Sequence, residues 1–461
     1  MTKETKGTKG TKKTKGTKRT KRTKEIVFVT GRNPSHGKGG GSSYVRAHMR
    51  AAMRAGFEPH IFCVDERDGV IEEDFGVVHR VATPFLPRRM FKTIPGEQPE
   101  RFFAHWLTAF SATPHMVMAH ATWLAASIEQ FLSRRAGPHL IHSFYTWGCV
   151  GLTVRERLRR NGVETIVVNS VYTTAENEVR AKTQGAADSG SLYQRAIYQA
   201  ERLWISHVVK RYERRAYTKS QLVLLNYESV RRLFLAEHGP GAETRKLPYS
   251  SEAAFLRDDV TKTPPEPETV AASGPRDAPL IVSVSRHDPR KGMDVLIRAL
   301  AELRDRGVRF RACLVSGGPL FGLSQQLVEQ LGLADVTTLA GWVSDPYPYL
   351  RSADVFALPS LQEGSGSVSL LEALQAGAAV VASNVDGIPE DVTDGDSALL
   401  VEPGNVAALS LALERVLTDA ELRGRLQIRA RETFVRKFSA EAFTTALRNL
   451  YAELGFQVEN G

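Results

Sequence analysis

The chain has 461 residues, too many for one ordinary core, so two domains of about 200 residues each are expected. Its 42% apolar content suffices for globular cores, and no run approaches the roughly 18 apolar residues of a membrane span. The formal charge of +10 is local: residues 1–24 hold 11 Lys/Arg against one Glu, which leaves the rest neutral and excludes a basic nucleic-acid binder by composition.

That first segment repeats a Thr-Lys-x beat and offers no apolar residue between Met1 and Ile26. It cannot bury a core and is expected to be disordered. It lacks the apolar stretch of a secretory signal. Two readings stand: a solubilising extension, or a salt-sensitive tether to anionic lipid or polymer. Cys63, Cys149 and Cys313 are far apart and form no CxxC pair, which suits reduced thiols in a cytosolic protein and argues against zinc.

From residue 25 short apolar runs alternate with helical patterns. Strands are expected at Ile26–Thr30, His60–Val64, Leu140–Phe144, Thr165–Val171 and Gln221–Asn226, with helical segments such as Ser43–Ala55 between them. Such alternation predicts a doubly wound parallel sheet over residues 25–256. Gly31–Gly39 imitates a P-loop, but the spacing to Lys38 is wrong and Gly39 replaces the required Ser/Thr. Phe85–Lys92 mixes apolar and basic residues, which suits either docking on an anionic membrane surface or an ordinary loop.

Residues 257–278 carry four prolines, many charges and little apolar content, and read as a linker. A second alternation fills 279–436, with strands expected at Leu280–Ser285, Phe310–Ser316, Val336–Leu339, Val355–Pro359, Ala379–Ser383 and Ala398–Val401. After Lys291, residues Val295, Leu296, Ala299, Leu300 and Leu303 fall on one helical face. Residues 437–461 hold a last amphipathic stretch, Ser439–Leu454. Two Rossmann-like halves enclose a cleft, and such sheets bind ligands beyond their strand carboxyl ends.

Two segments carry the chemistry. SRHDPRKG places Arg286 and Lys291 just after a strand, where two cations can converge on one diphosphate without a metal. EGSGSVSLLEALQAG sets Glu363 before a glycine-serine loop and a helix from Val368 to Ala376. Free N–H groups at that helix start favour a phosphate. Gly364 and Gly366 permit close backbone approach. Glu372 can accept two hydroxyls, as a ribose diol requires. The plain alternatives are an exposed basic loop and a solvated helix-face carboxylate. Asp394-Gly-Asp396 spells a metal-binding DxD but lies in a turn, and no metal site is expected.

Residues 279–403 resemble the donor-binding half of a retaining glycosyltransferase of the GT-B fold, specifically glycosyltransferase family 4. The landmarks run in the family's order: SRHDPRKG, LVSGGP, LAGWV, YLRSADVFALPSLQEG, LLEALQAGAAVVAS and GIPEDVTDGDSALLVEPG. The resemblance implies two facing Rossmann-like domains, a nucleotide-diphosphate sugar as co-substrate, and no metal or other cofactor. Arg286 and Lys291 would hold the diphosphate, Glu372 the ribose, and Glu363 with the amides of Gly364, Ser365, Gly366, Ser367 and Val368 the transferred sugar. Backbone near Trp342 and Val343 would contact the base, and Gly317 and Gly318 would let a loop approach the nucleotide. In the first half, Gly40 and Gly41 in GGGSS resemble the glycine loop near the donor phosphates. The segment FSAEAFTTALRNLY resembles the helix that crosses back to the first domain.

Two departures stand out. Eight residues separate Glu363 from Glu372 where the family has seven, so one extra residue is expected between Gly364 and Val368. The histidine commonly found near the anomeric carbon falls at Phe144; His142 on the same strand face is either a partial substitute or buried structure. Tyr145 and Trp147 read as core more than as sugar platforms. The implied function is sugar transfer to a glycan, lipid-linked or small-molecule acceptor, in the cytoplasm or at the membrane's inner face. Two alternatives remain: an inactive nucleotide-sugar-binding homologue, and an epimerase or phosphorylase on the same fold.

Overall fold

The computed structural model describes residues 24–36, 40–82, 114–177, 202–257, 267–271 and 277–458, with isolated positions 199 and 275. The Lys/Thr-rich segment up to residue 23 and the Phe85–Lys92 patch lie outside the described residues.

Among the described residues the N-terminal sheet has eight strands: β1 (Glu25–Arg32), β2 (Glu58–Asp65), β3 (Gly69–Glu73), β4 (Gly76–Ala82), β5 (His139–Phe144), β6 (Thr165–Val171), β7 (Leu222–Leu225) and β8 (Thr244–Lys246). Their spatial order is β3-β4-β2-β1-β5-β6-β7-β8, parallel except for the β3–β4 hairpin. Helices α1 (Gly40–Arg54), α2 (Pro114–Leu132), α3 (Gly148–Arg160), α4 (Lys210–Lys219) and α5 (Glu228–His238) accompany it. The central strands are largely buried; β5 buries all of its residues, His139, His142 and Ser143 included, as a sheet covered on both faces demands.

The C-terminal sheet has six parallel strands in the order β11-β10-β9-β12-β13-β14. They are β9 (Leu280–Val284), β10 (Arg311–Val315), β11 (Thr337–Gly341), β12 (Val355–Leu358), β13 (Ala379–Ser383) and β14 (Leu399–Val401). Its principal helices are α6 (Met293–Asp305), α7 (Phe321–Gln330), α8 (Val368–Ala376), α9 (Val406–Thr418) and α10 (Ala420–Lys437). The apolar face expected on α6 is buried against this sheet, with Leu296, Ala299, Leu300 and Leu303 fully enclosed.

Each of the eleven expected strands is present, with ends shifted by at most a few residues. Three strands were not expected. Strand β3 alternates exposed and half-buried positions at the sheet edge, β4 lies inside it and buries Val78 and Val81, and β8 is three polar residues long. Part of the expected linker is ordered. Glu268–Ala271 form one helical turn, Val270 is fully buried, and its carbonyl accepts a bond from the Arg311 side chain.

The last helix, α11 (Ala440–Glu453), lies on the N-terminal domain. Its Phe443 ring meets His48 edge-on and its Tyr451 is bonded to His142. One apolar cluster therefore runs from Ile26 of the first sheet to Leu280 of the second. Among the described residues no helix is long and apolar enough to cross a membrane.

Candidate nucleotide-sugar cleft

The C-terminal wall is built on the ends of β9 and β12. After β9 the chain turns at Asp288, whose carboxylate accepts from the Arg290 amide and starts the short turn Pro289–Lys291. Gly292 follows at φ +59, and a Cβ there would sit 2.2 Å from the Pro359 carbonyl, so no other residue fits. The Arg290 carbonyl accepts from the amides of Leu361 and Gln362. This backbone seam brings the two predicted segments together.

At the seam Lys291 Nζ lies 2.5 Å from Glu363 Oε2, and Ser360 Oγ donates to Glu363 Oε1 at 2.5 Å. The Glu363 side chain is only 3% exposed, while that of Lys291 is 17% exposed. Arg286, five residues before Lys291, is exposed and has no ion pair among the described residues. Helix α8 opens at Val368, and its N-cap, Ser367, makes no side-chain cap bond, leaving the first-turn amides for an outside partner. Glu372, one turn into α8, is half-buried, and burial pushes its carboxyl up from 4.5 to about 7; Arg257 pulls it down and Asp345 pushes it further up.

Sequence reasoning missed Asp386. It lies after β13 at φ 51, a left-handed conformation uncommon outside glycine. Its Oδ2 accepts from the amides of both Glu363 and Gly364 at 2.7 Å. The amide of Gly364 is therefore already bound, which leaves Ser365, Gly366, Ser367 and Val368 of the expected loop set.

The glycines expected near the nucleotide divide. A Cβ on Gly318 would strike the His287 carbonyl at 2.4 Å, so its role is packing between loops; Gly317 faces open space, its nearest neighbour being Trp342 at 3.9 Å. Trp342 is 59% exposed and Val343 half-buried at the end of β11, where a base could be met.

The N-terminal wall differs. His142 is fully buried, its Nδ1 bonded to Tyr451 Oη at 2.6 Å and its Nε2 to Ser170 Oγ at 2.7 Å. Burial, with His48 beside it, holds its pKa well below the usual histidine range. Of the two readings of His142 the burial favours structure: both nitrogens are used inside the core. Phe144 stacks on it at 5.2 Å. Trp147 covers Gly31, where a Cβ would lie 2.2 Å from the indole. Gly40 and Gly41 open α1, and Gly41 faces the Tyr172 hydroxyl.

The walls are stitched together beside the donor loop. Tyr227 Oη donates to Asp391 Oδ2 at 2.8 Å, and Glu390 accepts from the amides of Glu228 and Ser229, at the start of α5, and from Lys246. A Cβ on Gly366 would lie 1.9 Å from the Tyr227 hydroxyl.

Asp394 accepts from the Leu400 amide and Asp396 pairs with Arg429, so the DxD is occupied structurally. The group of metal-ligand type among the described residues is Glu213, Glu237 and His238, in the N-terminal domain, where His238 and Glu213 are already paired at 2.9 Å.

Residues 266–433 match the family described as glycosyl transferases group 1. A lipopolysaccharide core biosynthesis glycosyltransferase, LpsE, of Rhizobium meliloti is 36% identical over 178 residues, covering 39% of this chain and 51% of that protein. A GDP-mannose-dependent alpha-(1-6)-phosphatidylinositol monomannoside mannosyltransferase of Mycolicibacterium smegmatis is 34% identical over 41% of this chain and 51% of its own length. The chain thus spans about half the length of these curated relatives. Sucrose-phosphate synthase from Thermosynechococcus elongatus superposes with a TM-score of 0.63 at 21% identity, covering 94% of this chain and 99% of that one. Anabaena Alr3699/HepE, solved with UDP, superposes with a TM-score of 0.60 at 16% identity over 93% of this chain and 100% of that one. At these identities the likeness establishes the fold.

Proposed function

Residues 266–433 belong to the glycosyl transferases group 1 family, within a chain folded as GT-B, and from that premise we propose that the protein is a metal-independent, retaining glycosyltransferase that uses a nucleotide-diphosphate sugar. The observation that carries this reading is the seam itself. Lys291 is paired with Glu363 at the head of the loop that leads into the uncapped first turn of α8, and the reading assigns Arg286 to the same diphosphate and Glu363 and Glu372 to sugar and ribose hydroxyls.

In this reading the diphosphate enters between Arg286 and Lys291, which stabilise the negative charge that grows as the anomeric carbon–oxygen bond breaks. The acceptor hydroxyl attacks from the face the diphosphate leaves, and its proton passes to a departing phosphate oxygen. Stereochemistry is retained without a protein nucleophile. The enclosed His142 takes no part. Glu372 accepts the ribose hydroxyls, and Glu363 those of the transferred sugar. Relatives named for lipopolysaccharide core and phosphatidylinositol mannoside support a lipid-linked glycan among the possible acceptors.

The test is release of nucleotide diphosphate from UDP-glucose, UDP-N-acetylglucosamine and GDP-mannose in EDTA, with sugar and lipid acceptors. Release from one donor is expected, with retention at the product's anomeric centre. A strict need for divalent cation, or an inverted product, would contradict the reading.

A further inference from the structure

Glu363 is fixed at its carboxylate by Lys291 and Ser360, and at its backbone by Asp386. Asp386 reaches across from the loop after β13 and binds two successive amides with one oxygen. Its neighbour Gly387 donates to the Ser365 carbonyl at 2.8 Å. Residues 386 and 387 therefore hold three consecutive residues of the donor loop, the stretch where the spacing between the two glutamates is one residue longer than the family's. Gly364, at φ +77, makes the bend that Asp386 ties down. Bonds from amides to a carboxylate are among the stronger hydrogen bonds.

We propose that Asp386 is a positioning residue that sets the Glu363 carboxylate against the transferred sugar, so that recognition of the sugar, and not of the nucleotide, depends on it. This rests on the glycosyltransferase reading above. Asp386 makes no hydrogen bond to Lys291 or to the start of α8 among the described residues; it reaches Lys291 only through Glu363, whose carboxylate Ser360 also holds.

Two substitutions separate the side chain from the backbone. Asp386→Gly accepts φ 51 without strain and removes the acceptor. Asp386→Asn keeps a carbonyl oxygen that can take both amides. Calorimetry on the purified full chain would give Kd for UDP, UDP-glucose, GDP and GDP-mannose. For the nucleotide that binds, Asp386→Gly is expected to change the nucleotide diphosphate Kd by less than about 3-fold while weakening its sugar conjugate by about 10-fold or more. Asp386→Asn is expected to stay within about 3-fold of the native protein for both. Asp386→Ser, too short to span both amides, repeats the test if the glycine variant melts early.

Equal weakening of nucleotide and nucleotide sugar would overturn the proposal, as would an unchanged Kd ratio in Asp386→Gly or an asparagine variant no better than glycine. Failure of the native protein to bind any of the four would instead overturn the glycosyltransferase reading, and this proposal with it.

Discussion

On the N-terminal wall of the cleft the histidines beside β5 are sealed. His142 and His48 sit in an aromatic cage of Phe28, Tyr44, Phe144 and Phe443, and burial holds the His48 pKa down to about 4. On the C-terminal wall charge reaches the surface: Arg286 is exposed, Lys291 partly so, and α8 presents its open first turn. Both walls are strand-loop-helix units, yet β5 buries its histidines while the loop after β9 keeps Arg286 exposed and Lys291 partly so. The difference lies in what covers each site: α11 brings Tyr451 onto His142, whereas the seam between Arg290 and Leu361 leaves Lys291 partly open, paired with Glu363. On this account binding charge comes from the C-terminal wall, and the N-terminal wall supplies shape.

The comparison breaks most readily at Lys291. Lys291→Ala should lower transfer by about 100-fold or more, since it removes a cation from the leaving group in a partly dry site. It also strands the nearly buried Glu363 without its partner, so some stability is lost; adding Glu363→Gln should recover part of the melting temperature but none of the rate. Native-like turnover in Lys291→Ala would remove the C-terminal wall from the chemistry.

His142→Ala is the reciprocal test. It should cost about 2–4 kcal/mol in denaturant unfolding, because Tyr451 and Ser170 lose their partner and a cavity forms. Turnover well below the melting temperature should stay within about 3-fold of native, since no reacting atom touches this ring. A stable variant with turnover down by orders of magnitude would return His142 to the active site.

Glu372 sharpens the picture through pH. Its folded pKa of about 7 lies above the ordinary 4.5, so between those values the native state binds more protons than the unfolded chain. Stability therefore falls as pH rises through that window, and Glu372→Gln should flatten the slope. Nucleotide affinity should move the other way, improving by several-fold from pH 6 to 8 as the carboxylate becomes a full acceptor. Equal affinities at both ends would mean that Glu372 does not meet the ribose. The smallest effect is expected at the DxD: joint Asp394→Asn and Asp396→Asn, assayed in EDTA, should keep transfer within about 2-fold, because both carboxylates serve the turn.

Much of the C-terminal wall was legible because its signals are local. A strand followed by Arg286 and Lys291, and a glycine-serine loop before α8, can be read without knowing what they touch. Strand β3 escaped because its positions are exposed or half-buried, β4 because His79 and Arg80 interrupt its valines, and β8 because Thr-Arg-Lys has no strand signature. Asp386 escaped for another reason. Its role is a left-handed backbone and two bonds to residues more than twenty positions earlier, neither of which leaves a pattern in the sequence. The fate of His142 depended on Tyr451, 309 residues away.

The most direct test of the central claim is thermal melting with UDP, GDP, ADP and dTDP in turn, without metal, in the native protein and in a joint Arg286→Ala, Lys291→Ala variant. The account predicts that one nucleotide raises the native melting temperature, by the equivalent of about 2.7 kcal/mol at 100 times its Kd, and that the shift disappears in the variant. No shift with any nucleotide at millimolar concentration, or an undiminished shift in the variant, would contradict it.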